Sequence, residues 1–343
     1  MVQILGLILV SFFIVSILLV PFINILYRIK FQRQDQKTRD IFEVRTPIFD
    51  KLHGHKIGTP VGGGILIISV LTVLYLLIMN LAPILGIETT SVYPYKKEIQ
   101  ILIFTFLSFG ALGLYDDLRK TFGFKKSRFL GLRFRYKFLI QWVLALIISW
   151  MLYSTLGIDI VNVRFFDIID LGAFYIPFAA FVIVSFTNAV NISDGLDGLA
   201  PGLLLISLIG FLVISASILD TTLAVFIGLL IGALIAFLYF NIWPARIWLG
   251  DVGALSFGAT LAVCGLLLGK PLALPIIGGM FVVEVASSLV QLLSKKFRGK
   301  KVFEVAPIHL YLQYAGWEES KIVFRFWLAQ TIFVVFGLWL SFF

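Results

Sequence analysis

Five aspartates and one histidine stand where hydrophobic segments end: Asp116 and Asp117, Asp194 and Asp197, Asp251, and His309. Carboxylates gathered at a bilayer surface repel one another unless something positive lies between them. A divalent cation holding a phosphate-bearing substrate is the usual partner. Asp116 and Asp117 close a run ending GLYDDLRK, where one carboxylate can bind metal or phosphate-linked water and the other can take a proton. In NAVNISDGLDG (188–198), Asn188 and Asn191 are three apart, as are Asp194 and Asp197, so each pair can share a helical face. The glycines there let backbone approach a ligand. In NIWPARIWLGDVGALSFG (241–258), Asp251 has no like-charged neighbour in sequence and is the candidate for direct metal ligation. Trp248 can stack on a base or sit in an interfacial belt. His309 follows Pro307 and a basic stretch; a lone histidine is more often structural, but beside phosphates an imidazole can hydrogen-bond a diphosphate. No HExxH, Cys/His metal spacing or Walker motif is present, which argues against ATP-driven transport.

The elements that must carry these residues are membrane helices. The 343 residues are 60% hydrophobic and 14% charged, too apolar for an ordinary soluble domain. Runs of about 20 apolar residues, enough to cross a bilayer, cover roughly 2–26, 61–84, 99–115, 136–157, 173–190, 199–219, 221–242, 253–269, 272–293 and 322–343. Only Asp220 separates the sixth and seventh, which predicts a tight helical hairpin. Lys and Arg fall 23 to 4 in favour of the odd-numbered loops, which places those loops in the cytoplasm and both termini outside. All the clusters above lie on that side. The net charge of +9 follows mostly from this asymmetry and needs no nucleic acid partner; the remainder can attract a polyanionic substrate or anionic lipid head groups.

The expected fold is an all-α polytopic membrane protein of about ten transmembrane helices, in one integral-membrane domain spanning 1–343. Segment 158–171 partly alternates apolar and polar residues and predicts a small outer β-hairpin. Gly62, Gly63 and Gly64 would let another backbone come close. Segment 302–316 is apolar but too short to cross, and Pro307 interrupts it, so it is expected near the inner interface. The first span lacks a basic n-region and a cleavage site and reads as a retained helix. Cys264, the one cysteine, reads as buried filler.

Taken together, HGHKIGTPVGGG (53–64), DDLRK (116–120), GLRFRYKFLIQ (131–141), NAVNISDGLDGLAPG (188–202), NIWPARIWLGDVGALSFG (241–258), FVVEVASSLVQ (281–291) and VFEVAPIHLYLQYAGWEESKIVFRFW (302–327) resemble the polyprenyl-phosphate N-acetylhexosamine-1-phosphate transferase superfamily. The last segment, with APIH, GW and RFW, points within it to the MraY group. The resemblance implies transfer of phospho-MurNAc-pentapeptide from its UDP carrier to undecaprenyl phosphate, giving lipid I and UMP, in peptidoglycan synthesis. It implies Mg²⁺ as cofactor, a homodimer, and a bacterial cytoplasmic membrane. On the matching positions it implies Asp251 as main metal ligand with Asp194 beside it. Asp116 would deprotonate or position the lipid phosphate, with Asp117 in support. Gly195, Leu196, Asp197 and Trp248 would line a uridine pocket. Asn188, Asn191 and Asn241 would bond ligand or ligand-bearing loops, and Lys56, Lys120, Lys137 and His309 would face phosphate oxygens. The chain departs from the group where three consecutive histidines are usual: His309 is followed by Leu310 and Tyr311. It also has Gly54 and His55 where the group tends to an apolar residue and Lys, and Trp248 in place of Phe. Other readings are a sibling transferase using UDP-GlcNAc or another UDP-sugar, a transporter or flippase, and an inactive homologue.

Overall fold

The computed structural model describes residues 2–32, 47–84, 86, 88–122, 132, 134–163 and 167–342. Arg33, Lys37, Arg39, Arg45, Lys125, Lys126, Arg128, Arg133 and Arg164, on which the charge asymmetry partly rests, lie outside the described residues, as does Gly131. In chain order the elements are α1 (Val2–Arg28), α2 (Pro47–His53), α3 (Gly63–Leu81), α4 (Tyr95–Phe122), α5 (Phe134–Leu156), β1 (Ile160–Val163), β2 (Asp167–Asp170), α6 (Tyr175–Ser193), α7 (Leu199–Ser217), α8 (Thr221–Asn241), α9 (Gly250–Leu267), α10 (Leu274–Ile277), α11 (Gly279–Arg298), α12 (Ile308–Tyr314) and α13 (Glu319–Phe342). Hydrocarbon offers the backbone no hydrogen-bond partner, so long apolar runs satisfy their own N–H and C=O groups as helices. Among the described residues, nine helices are long and apolar enough to cross a membrane. They match nine of the ten expected runs.

The run at 272–293 is the one that differs. It divides into α10 and α11, and α11 carries a polar stripe of Glu284, Ser287, Gln291 and Ser294. That stripe grips the segment that follows. Ser294 Oγ donates to Lys300 O (2.9 Å), Gln291 bonds the backbone of Val302 and Phe303 in both directions, and Ser287 Oγ accepts from Ile308 N (3.0 Å). The expected interfacial segment is therefore a strap laid along α11, and α12 begins directly after Pro307.

The helix at the centre is α9, buried at every residue from Val252 to Leu267 and packed against α3, α4 and α6. Glycine makes that packing close. A Cβ at Gly64 would overlap the backbone of Gly253, and one at Gly113 would overlap the carbonyl of Asp251. Small residues at helix contacts are how membrane helices approach one another without a hydrophobic driving force. Gly62 and Gly63 also donate to the Trp248 carbonyl (3.2 and 2.8 Å), and Gly64 to that of Leu249 (3.0 Å), tying the start of α3 to the start of α9. By contrast α1 keeps much of its apolar surface outward, with Leu5, Phe13 and Ile17 exposed, as lipid-facing residues must be.

The α7–α8 hairpin forms as expected. Asp220 caps α8 by accepting from Leu223 N (3.0 Å). The 158–171 hairpin also forms, with Ile160 opposite Asp170 and Val163 opposite Asp167 in antiparallel register; its tip, 164–166, lies outside the described residues. Cys264 is buried and free.

Candidate active site

Helix alternation brings the ends of α4, α6 and α8 and the beginnings of α3, α5, α9 and α13 to one end of the bundle. The aspartates meet there. Asp116 and Asp117, on the last turns of α4, are both buried. Asp251, in the first turn of α9, is more open, at 15% side-chain exposure. Asp117 Oδ2 accepts from Val252 N (3.0 Å), so the start of α9 docks on this carboxylate and its dipole favours the negative charge. Gly250 fits the same contact: it has φ +77°, and a Cβ there would press on Asp117 Oδ2.

Something positive does lie between the carboxylates. Lys120 Nζ bridges Asp116 Oδ2 (3.0 Å) and Asp251 Oδ2 (2.7 Å). Lys137, from the first turn of α5, bonds Asp116 Oδ2 (3.1 Å) and also Asp251 Oδ2. Asp116 Oδ1 accepts from Leu132 N (2.6 Å), and Asn191 Nδ2 donates to Asp251 Oδ1 (3.1 Å). Asp251, isolated in sequence, is thus in space a partner of both α4 aspartates through shared cations and helix packing. The lysines expected on phosphate oxygens rest here on carboxylates.

A second group adjoins the Asp194–Gly198 turn. Lys56, buried before α3, donates to Asp197 Oδ1 (2.9 Å) and to Glu319 Oε1. Glu319 Oε1 also accepts from Asp197 N (2.6 Å). Asp197 further accepts from Ala245 N (2.9 Å) and from Trp248 Nε1 (3.2 Å). Its oxygens therefore orient the Trp248 indole and the loop before it. Lys56 Nζ lies 5.6 Å from the Trp243 ring and 5.8 Å from the Trp248 ring, within cation–π reach. Asn241 braces the same loops, accepting from Gly198 N (3.1 Å) and donating to Ile247 O (2.8 Å). Leu196 is buried beside them. Asn188 is used elsewhere, donating to Gln141 Oε1 (2.7 Å) on α5 and to Val184 O (2.8 Å).

His309, on the first turn of α12, reaches this turn from the far side. Any Cβ at Gly195 would collide with His309 Nε2. Asp194 caps α6 one turn beyond Asn191, its N–H on Val190 O (3.1 Å). Of the residues after His309, Leu310 is buried, and the Tyr311 ring packs on Phe303 of the strap at 5.7 Å.

The donor chemistry fits Mg²⁺. Among the described residues no three His, Cys, Asp or Glu side chains converge on one point. Mg²⁺ needs only one or two carboxylates, with substrate phosphates and water completing its oxygen shell. Asp251, partly exposed and flanked by the Asn191 amide, offers that kind of ligand.

Sequence reasoning missed Glu319, which holds Lys56 and the Asp197 backbone. An acidic residue opening a helix looks like an ordinary partner of the helix dipole, so its sequence position gave no signal. It also gave Gln141 no place, and it set Lys120 beside Asp116 and Asp117 as a compensating charge without joining Lys120 or Lys137 to Asp251.

Residues 99–269 match the family model described as Glycosyl transferase family 4. A phospho-N-acetylmuramoyl-pentapeptide-transferase of Caldanaerobacter subterraneus subsp. tengcongensis is 41% identical over 282 residues, 82% of this chain and 84% of that one. One of Rickettsia canadensis is 38% identical over 330 residues, 90% of this chain and 86% of its own. One of Clostridium perfringens strain 13 is 35% identical over 327 residues, 95% of each.

Proposed function

Since the chain belongs to the phospho-N-acetylmuramoyl-pentapeptide transferase family, we propose that its polar bundle end is the seat of that transfer and that Mg²⁺ is required there. The protein moves phospho-MurNAc-pentapeptide from UDP to a polyprenyl phosphate carrier, undecaprenyl phosphate. An oxygen of the lipid phosphate attacks the sugar-linked phosphorus of the UDP-sugar, the diphosphate P–O–P bond breaks, and UMP leaves with the bridging oxygen. Mg²⁺, when bound, neutralises the diphosphate and the charge growing on UMP.

The observation that carries this reading is the Asp116–Lys120–Lys137–Asp251 cluster: opposite charges held together at the rim of a membrane bundle. Asp251 would hold the metal, with Asp194 beside it. Lys120 and Lys137 exchange their carboxylate partners for phosphate oxygens as substrate arrives. Asp116, released from them, positions or deprotonates the lipid phosphate, and Asp117 fixes the α4–α9 contact behind it. The Gly195–Asp197 turn, Trp248 and Lys56 receive the uridine end, Asn191 and Asn241 hold the loops, and Asn188 braces α6 against α5. His309 faces the diphosphate.

The lysine and arginine asymmetry of the loops supports a cytoplasm-facing site in a bacterial cytoplasmic membrane. A homodimer rests on the family alone. UMP release by the purified protein tests the reading, with undecaprenyl phosphate and either UDP-MurNAc-pentapeptide or UDP-GlcNAc, with and without Mg²⁺. Turnover of the pentapeptide substrate only, and only with Mg²⁺, is expected. Turnover of UDP-GlcNAc alone overturns the substrate assignment, and full activity after chelation overturns the metal.

A further inference from the structure

Glu284 stands in the second turn of α11, fully buried, and has no task in the transfer itself. Its Oε2 lies 2.8 Å from Nδ1 of His309, a ring equally buried. Its other oxygen, Oε1, meets no hydrogen-bond donor among the described residues. Burying a carboxylate against one partner is costly, and a packed apolar residue would serve stability as well or better. The arrangement suits a different task, the control of a ring. A carboxylate on one imidazole nitrogen keeps the proton there and fixes where the other nitrogen points.

That other nitrogen is turned toward a functional loop. Nε2 lies against Gly195, at the turn that carries Asp194 and Asp197, and the absent side chain at 195 is what admits it. The ring is held from a second direction as well. Ser287, one turn along α11 from Glu284, accepts from the N–H of Ile308, the residue before His309. Two positions one turn apart on α11 thus fix both the backbone and the ring.

We propose that Glu284 is a positioning residue for the transfer: it holds His309 with Nδ1 protonated and presents Nε2 to the substrate diphosphate at the Gly195 turn. The proposal rests on the reading of His309 as substrate-facing. When the ring is charged, Nε2–H donates to a phosphate oxygen, and the Glu284 carboxylate compensates the positive charge from behind. A single histidine so oriented makes the two positions that follow it, Leu310 and Tyr311, free to pack.

The test is Glu284→Gln in the full-length protein, read by steady-state kinetics and by the ring ¹⁵N resonances of His309, assigned by their loss in His309→Asn. Expected are a fall in kcat of about 10- to 100-fold, the range seen for carboxylates that orient a metal-ligating imidazole, a smaller change in KM for UDP-MurNAc-pentapeptide, and an altered tautomer signature. The double variant should be no slower than His309→Asn alone. Should the Gln protein not fold, Glu284→Asp, which keeps the charge and withdraws it by one methylene, carries the same readouts. Unchanged kcat and ring resonances, with a slow His309→Asn enzyme, overturn the positioning role and leave the site intact. A His309→Asn enzyme as fast as the wild type overturns the role of His309 itself.

Discussion

At the scale of single residues, the ammonium group of Lys56 separates two buried carboxyl groups, Asp197 and Glu319. Removing one member of a buried ionic group costs about 3–5 kcal/mol, because the rest stay buried and unpaired. Lys56→Met should therefore lower the melting temperature in detergent by several degrees; an unchanged transition would mean that solvent already screens the group. Asp251→Asn is a different experiment. Its side chain is near-isosteric with Asn, and Lys120 and Lys137 keep Asp116 as a partner, so the fold should survive while turnover falls by about 10²–10³-fold, the several kcal/mol that a metal-held charge is worth. Near-normal UMP release at saturating Mg²⁺ would remove Asp251 from the metal site. Of these residues, Asp251 and Asp197 stood out in the sequence, because a charge beside glycine at the end of an apolar run has no packing explanation; Lys56, which has neither feature, entered only through the family resemblance. Glu319 was not, since its partners are 122 and 263 positions away.

At the scale of elements, the start of α9 is delivered to Asp117 by glycines on three helices. Gly64→Ala would drive a methyl into the Gly253 backbone. Overpacking of this kind costs about 1–3 kcal/mol, and the displaced α9 would carry Asp251 away from Lys137. Activity should fall more than stability does. Gly6→Ala on α1 is the matched control, for a Cβ there meets nothing within 4 Å among the described residues. It should be neutral or slightly stabilising, and equal losses in the two variants would refute the role of close packing. The GGG run showed this approach in the sequence, though not which helix would come. The α11 strap was less legible. Its polar stripe has helical spacing and resembles a solvated face, and only the tertiary structure shows that the 300–308 backbone occupies it.

At the scale of the whole molecule, the bundle has a chemical end and a structural end. Asp220 lies at the latter, in the turn between α7 and α8, and burial pushes its carboxyl above the usual carboxylate range. A raised folded-state value means that its contribution to stability is complete below the unfolded value, about 3.9, and is lost as pH rises through the folded one. Asp220→Asn keeps a capping side chain. Its melting temperature should exceed that of the wild type at pH 8, with the gap closing toward pH 4; a gap constant with pH would show that the charge is not the cause. The number and place of the spans were the most legible level of all, because hydrocarbon thickness acts on long stretches of chain. The pairing of distant helices was not, since one apolar run is much like another. The lysine bridges of the chemical end have a practical consequence. Two ammonium groups already sit among Asp116, Asp117 and Asp251, so the fold does not lean on Mg²⁺ as a zinc finger leans on its ion. Treatment with EDTA should yield a silent but intact protein, with an unshifted thermal transition, that wakes when magnesium is returned.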